Sequence, residues 1–157
     1  MHSLPQKMLR DFESTCVDIL LEDGPVLAVN KPAGLLTQGV PRGIPTLEAL
    51  VKHYIKLRYQ KPGNVYLGIP HRLDRPVSGA VVFARNSKSA RRLAEQFQSR
   101  RVRKIYWGIV EGCPQASHDV LHDWIRKVPE QARAEIAPHN SPEARECWLR
   151  YRVLASL

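Results

Sequence analysis

The sequence predicts a single α+β domain. Three observations predict it: short apolar runs of strand length set between turn residues, two segments with the apolar spacing of amphipathic helices, and a length of 157 residues, enough for one core and too short for two ordinary ones. No internal repeat or low-complexity segment interrupts this pattern.

The first element is a hairpin. Ile19-Leu20-Leu21 and Val26-Leu27-Ala28-Val29 flank Glu22-Asp23-Gly24-Pro25, and Asp-Gly between apolar runs is a strong turn signal. Lys31-Pro32-Ala33-Gly34 stops the second strand, because proline donates nothing to a ladder and glycine lets the chain turn; a loop follows. Thr46 is placed to cap a helix whose apolar positions Leu47, Leu50, Val51, Tyr54 and Ile55 form one stripe, with Pro62-Gly63-Asn64 beyond its end. Val65 to Ile69 and Gly79 to Ala84 read as short strands, the second apolar throughout and therefore expected to be buried on both faces. Between them lies a polar loop bounded by prolines, Pro70-His71-Arg72-Leu73-Asp74-Arg75-Pro76-Val77-Ser78.

Asn86 or Ser87 caps a second helix, with Ala90, Leu93, Ala94 and Phe97 as its buried stripe and Lys88, Arg91 and Arg92 facing outward. A strand is expected from Ile105 to Val110, closed by Glu111-Gly112. Cys113 to Glu143, punctuated by Pro114, Pro129, Pro138 and Pro142, reads as an irregular excursion with one short strand at Val120 to Ile125. Cys147, Leu149, Tyr151 and Val153 then alternate with Trp148, Arg150 and Arg152, the signature of a strand with one face toward a core.

Charge narrows the function. With 24 Lys+Arg against 15 Asp+Glu the formal net charge is +9, which favours polyanions: RNA, DNA or an anionic membrane. From Arg85 to Lys104 eight cations face one acid, Glu95, so Arg101, Arg103 and Lys104 are candidate phosphate contacts. No apolar run approaches the roughly 20 residues needed to cross a bilayer, and the opening lacks a secretory apolar stretch, so a cytoplasmic protein with no membrane partner is expected. Cys16, Cys113 and Cys147 form no Cys-x-x-Cys pair and are expected to be buried thiols. His118 and His122 stand four apart without a carboxylate motif around them, so no metal is expected.

The chemistry concentrates in Arg72-Leu73-Asp74-Arg75. A carboxylate between two guanidinium groups is favoured in its ionised form, which suits a nucleophile and equally suits a surface ion-pair cluster. The loop joins two apolar strands, where reactive groups often sit. Cleavage of a glycosidic bond by water usually takes two carboxylates, and only one is found here. One acid suits a reaction whose leaving base is never released, such as isomerising a uridine within RNA.

Val-Leu-Ala-Val-Asn-Lys-Pro-Ala-Gly from Val26, Gly-Ile-Pro-His-Arg-Leu-Asp-Arg-Pro-Val-Ser-Gly-Ala from Gly68, and Lys-Ile-Tyr-Trp-Gly-Ile-Val-Glu-Gly from Lys104 together resemble the RluA-type RNA pseudouridine synthases and their RsuA-type relatives. The match in order and spacing runs from about Val17 to the C-terminus. The resemblance implies an α+β pseudouridine synthase catalytic fold, with a long, bent, mixed and mainly antiparallel sheet flanked by helices and loops, and RNA in a basic cleft across it. It implies Asp74 as the nucleophile on a flipped-out uridine, and Tyr106 as the aromatic that stacks on the flipped base. Arg72 would fill the gap that the nucleotide leaves. His71, Arg75, Arg101, Arg103 and Lys104 are the further candidate RNA contacts, Lys31-Pro32 is structural, and the expected partner is rRNA or tRNA, acted on without cofactor or metal by a monomer.

Two departures bear on these expectations. Val77 stands where the family usually has threonine, which removes a hydroxyl at little change of shape. The family normally continues beyond a strand like Cys147 to Leu154 into a Gly-Arg-x-His-Gln-Ile-Arg motif that supplies a basic partner for the aspartate, and this sequence ends at Leu157. The catalytic domain over residues 1–157 is therefore expected to be C-terminally incomplete. With about sixteen residues before the first strand, no separate N-terminal RNA-binding domain is expected. The alternative is a module that keeps the fold and binds RNA with turnover impaired. A DNA-binding regulator ranks below both, since no helix-turn-helix or zinc-finger pattern is visible.

Overall fold

A computed structural model of the chain describes residues 17–39, 44–131 and 133–156, and Cys16 lies outside them. The chain divides into two compact units, one ending at Lys104 and the other beginning at Ile105.

In the first unit, β1 (Ile19–Asp23) and β2 (Val26–Lys31) form the expected antiparallel hairpin, with Gly24 at φ +48° in its turn, a conformation glycine adopts without a Cβ clash. The register shifts between Ile19 and Leu21, leaving Leu20 as a bulge residue. Strand β3 (Gly79–Ala84) pairs antiparallel with β2 along its whole length, from Val26 opposite Ala84 to Lys31 opposite Gly79. Helix α1 (Leu47–Arg58) starts where expected: Thr46 is extended and its side chain accepts the Ala49 N–H, a cap worth about 1 kcal/mol. Helix α2 (Ser87–Gln98) is capped by Asn86, whose Oδ1 accepts the Ser89 N–H at 2.8 Å.

The core gathers Leu27 and Val29 of β2, Val81 and Phe83 of β3, and Leu47, Val51 and Ile55 of α1, together with Leu67 and Leu73 from the loops. Two expectations need correction here. Residues 65–69 make no strand, only an isolated bridge in which Gly68 and Ala84 exchange both backbone hydrogen bonds at 2.8 and 2.9 Å. Strand β3 is not buried throughout: Val81 and Phe83 are fully enclosed on one face, whereas on the other Ala84 is enclosed and Ala80 is exposed. The apolar stripe of α2 is real but shallow, since none of its residues is fully buried.

The second unit contains one three-stranded antiparallel sheet in the order β5-β4-β6, built from β4 (His118–Lys127), β5 (Ala134–Ile136) and β6 (Arg145–Arg152). The region expected to be irregular thus holds a ten-residue strand in eight-residue register with β6, from His118 opposite Arg152 to Ile125 opposite Arg145. Residues 105–110 form no strand among the described residues; no neighbouring segment there supplies a ladder, and Trp107 and Ile109 are almost wholly exposed. β6 does not turn one face to a core, because Leu149 is 59% exposed and no described residue of β4, β5 or β6 is fully buried. Cys113 is exposed in the loop before β4 and Cys147 half-buried, so neither is the enclosed thiol expected. Both sheets are antiparallel, and the α+β class holds. Among the described residues no helix is long and apolar enough to cross a membrane.

Candidate functional site

The loop between residues 69 and 79 is the chemically richest part of the first unit. Burial alternates along it: Arg72 and Asp74 are exposed, while Leu73 between them is 8% exposed and belongs to the core. Leu73 therefore anchors the loop, and its neighbours face solvent as a consequence.

What fixes the loop is a set of backbone contacts with the segment after β2. Thr37, only 3% exposed, donates its hydroxyl to the Leu73 carbonyl at 2.7 Å and accepts the Leu73 N–H at 3.3 Å. The Arg75 carbonyl accepts the Gly34 N–H at 2.8 Å, and the Arg75 Nε donates back to the Gly34 carbonyl at 3.0 Å. Asp74 itself closes a turn, its carbonyl accepting the Val77 N–H at 3.1 Å. Gly34 sits at φ +85°, so the reversal that brings its peptide against Arg75 uses a conformation disfavoured for other residues.

Lys31 ties the two segments together. Its side chain is fully buried, and Nζ donates to the carbonyls of Leu35 at 2.6 Å, Pro32 at 3.0 Å and Arg75 at 3.2 Å. Burial pulls the ammonium below the usual lysine range, and the nearby Asp74 carboxylate works in the opposite direction. Lysine, with three donors and no acceptor need, is the side chain that satisfies three converging carbonyls.

His71 holds the other end of the loop. Its Nε2 accepts the Val82 N–H of β3 at 2.9 Å, and its ring stacks on Phe97 of α2 with centroids 4.4 Å apart and planes at 19°. Burial lowers its pKa, and the Lys104 cation lowers it further. A nitrogen that accepts a backbone N–H carries no proton, so the neutral ring has its proton on Nδ1.

Of the sequence-predicted residues, the first unit brings Asp74 and Arg75 near Lys31, and His71 near Lys104. Arg72 is exposed beside them in sequence. The expected guanidinium fence is absent: among the described residues no side chain hydrogen-bonds or ion-pairs with the Asp74 carboxylate, and Arg75 places its Nε on the Gly34 carbonyl instead. Arg101 donates its Nε to the Ser99 hydroxyl at 3.0 Å, and Arg103 and Lys104 are exposed. Tyr106 belongs to the second unit and is 59% exposed. Sequence reading missed Thr37, whose one visible signal is a hydroxyl directly after the apolar pair Leu35-Leu36; it also missed that Phe97 packs on a site residue.

Comparison with known proteins gives a consistent picture. Residues 25–156 match the family described as RNA pseudouridylate synthase. The chain is 41% identical over 130 residues to the dual-specificity RNA pseudouridine synthase RluA of Vibrio vulnificus, covering 80% of this chain and 48% of that protein. It is 40% identical over 96 residues to tRNA pseudouridine synthase C of Haemophilus ducreyi, covering 61% of this chain and 37% of the relative. Among solved structures it resembles human RNA pseudouridylate synthase domain containing 4 at a TM-score of 0.73 and 23% identity, over 96% of this chain and 57% of that one. The chain spans about half the length of the curated relatives it matches.

Proposed function

Because this chain belongs to the RNA pseudouridylate synthase family, we propose that it converts specific uridines in structured RNA, rRNA or tRNA, to pseudouridine, with Asp74 as the nucleophile. The observation that carries the reading is the contrast at Asp74: an exposed carboxylate on a backbone held by Thr37, Lys31, Gly34 and Val77. A reactive group that must meet a large substrate needs an open side chain on a fixed main chain.

In this reading Asp74 attacks a uridine turned out of its strand, the bond from uracil N1 to the ribose breaks, the base turns and rejoins the sugar through C5, and the bond to Asp74 breaks so that its carboxylate is regenerated. The C5 proton departs and N1 gains one, so atoms balance with no water consumed. Arg72 fills the vacated stack, Tyr106 offers a flat face to the flipped base, and Arg101, Arg103 and Lys104 contact phosphates. Arg75, with Nε on Gly34, offers its terminal nitrogens to the RNA backbone, and His71 acts beside it. The net charge of +9 supports a polyanionic partner met in the cytoplasm.

The test is incubation of the chain with total RNA from cells lacking the gene, followed by chemical mapping of pseudouridine. New sites that vanish with Asp74→Asn are expected; sites that survive that substitution would remove Asp74 from the mechanism. A second reading is favoured by one observation, the lack of any cation paired with Asp74 among the described residues. It is an RNA-binding module with impaired turnover, which would bind RNA in a salt-sensitive way, equally well as Asp74→Asn, and yield no product.

A further inference from the structure

We infer that Thr37 is the positioning residue that sets the backbone of Asp74. The inference rests on the reading of Asp74 as nucleophile. Its basis is the use of a single hydroxyl for both polar groups of one distant residue: Thr37 Oγ1 donates to the Leu73 carbonyl at 2.7 Å and accepts the Leu73 N–H at 3.3 Å, 36 positions away in sequence.

The Leu73 carbonyl belongs to the peptide that ends in the Asp74 nitrogen, so fixing it fixes the plane upstream of Asp74. The plane downstream is fixed by the Asp74 carbonyl, which accepts the Val77 N–H at 3.1 Å. Both rotations that aim the carboxylate are thereby bounded, while the side chain itself stays exposed. Thr37 suits the task because it is nearly fully enclosed, at 3% exposure, and β-branched, which restricts its χ1. With its hydroxyl proton and one of its two lone pairs committed to Leu73, and almost no surface open to solvent, it acts on the loop and not on substrate. Lys31 contributes differently: it reaches Arg75, one residue beyond, and leaves the peptide before Asp74 untouched.

The discriminating variants are Thr37→Val, which keeps the shape and removes the hydroxyl, and Thr37→Ser, which keeps the hydroxyl. Backbone amide exchange is followed by NMR in the parent and both variants, and turnover is measured on a transcript carrying a uridine that the parent modifies. In the parent and Thr37→Ser the Leu73 and Val77 amides are expected to be protected. In Thr37→Val both lose protection while the β2–β3 ladder keeps it, and kcat falls by roughly 10- to 100-fold with KM within about twofold, as a small misplacement of a reacting group produces. Thr37→Ser restores most of that loss.

An unprotected Leu73 amide in the parent, parental kcat in Thr37→Val, or protection lost evenly across the β2–β3 ladder would each overturn the inference. Asp74→Asn is run alongside. If it turns over like the parent, the nucleophile reading fails on its own account, and the exchange pattern still decides whether Thr37 holds the loop. If the parent forms no product, the exchange arm alone decides.

Discussion

Replacing Lys31 with methionine asks how much of the site depends on one buried ammonium. The thioether side chain would occupy a similar volume and offer no donor to the three carbonyls that Nζ now serves, those of Pro32, Leu35 and Arg75. The Arg75 carbonyl keeps the Gly34 N–H, so two carbonyls lose their partner, at about 1–3 kcal/mol for each that water does not reach. Removing the ammonium also relieves the desolvation that depresses its pKa, which offsets part of this cost. A net loss of about 2 kcal/mol, or roughly 30-fold in the folded-to-unfolded ratio, is expected for the first unit. The assay has to be matched to the fold. All three tryptophans, Trp107, Trp124 and Trp148, belong to the second unit, whereas both helices among the described residues belong to the first. Urea unfolding of Lys31→Met is therefore followed by helical circular dichroism, and tryptophan fluorescence serves as the internal control. A helical transition at the parental midpoint would refute the clamp.

Two further outcomes follow from the same unit. His71 has its pKa lowered in the fold, so the folded state binds fewer protons than the unfolded one just below pH 6.5, and the contribution is complete above that value and lost as pH falls through the folded pKa. Titration of urea midpoints should show the gap between parent and His71→Gln narrowing from about pH 6.5 downward; a gap that is constant or widens toward acid contradicts the neutral-ring assignment. Gly68→Ala would put a Cβ 2.4 Å from the Ala90 Cβ, so α2 must shift, with a loss of roughly 1–3 kcal/mol in thermal or urea unfolding. Unchanged stability would mean that α2 packs against the Gly68–Ala84 bridge more loosely than its geometry implies.

The first unit was legible from sequence where local chemistry and packing agree. Asp-Gly between apolar runs gave the β1–β2 turn, Thr46 and Asn86 gave both helix starts, and the stripe of α1 is the stripe that packs on Leu27, Val29, Val81 and Phe83. Residues 65–69 misled because an apolar run of strand length says nothing about partners. Gly68 pairs once with Ala84 and stops, since the run serves to carry Leu67 into the core. The site was legible as a set of side chains but not as a structure: Arg72, Asp74 and Arg75 announce themselves by charge, yet the bonds that hold them are main-chain carbonyls and amides that carry no residue signature. The expected ion pairs failed for the same reason. Adjacency in sequence put guanidinium groups beside Asp74, and the backbone then led Arg75 to Gly34.

The second unit was read less well, and the cause is the same dependence on partners. From sequence β4 reads as a fragment because prolines around it suggest loops, and His118, Asp119 and Asp123 interrupt any apolar alternation; what extends it is pairing with β6, including the His122–Trp148 stack at 3.7 Å. Residues 105–110 show the converse. Ile105, Tyr106, Ile109 and Val110 have every local preference of a strand and make none, as β-propensity describes fitness for a sheet surface and cannot create the neighbour. The same asymmetry separates the two functional candidates that the family motifs single out most sharply. Asp74 is held in place by bonds within its own unit, so its proposed role can be tested by changing Thr37 or Lys31 without touching it. Tyr106 has no such frame among the described residues of its unit, and its proposed stacking on a flipped base stands on the Lys-x-Tyr motif and on an exposed ring.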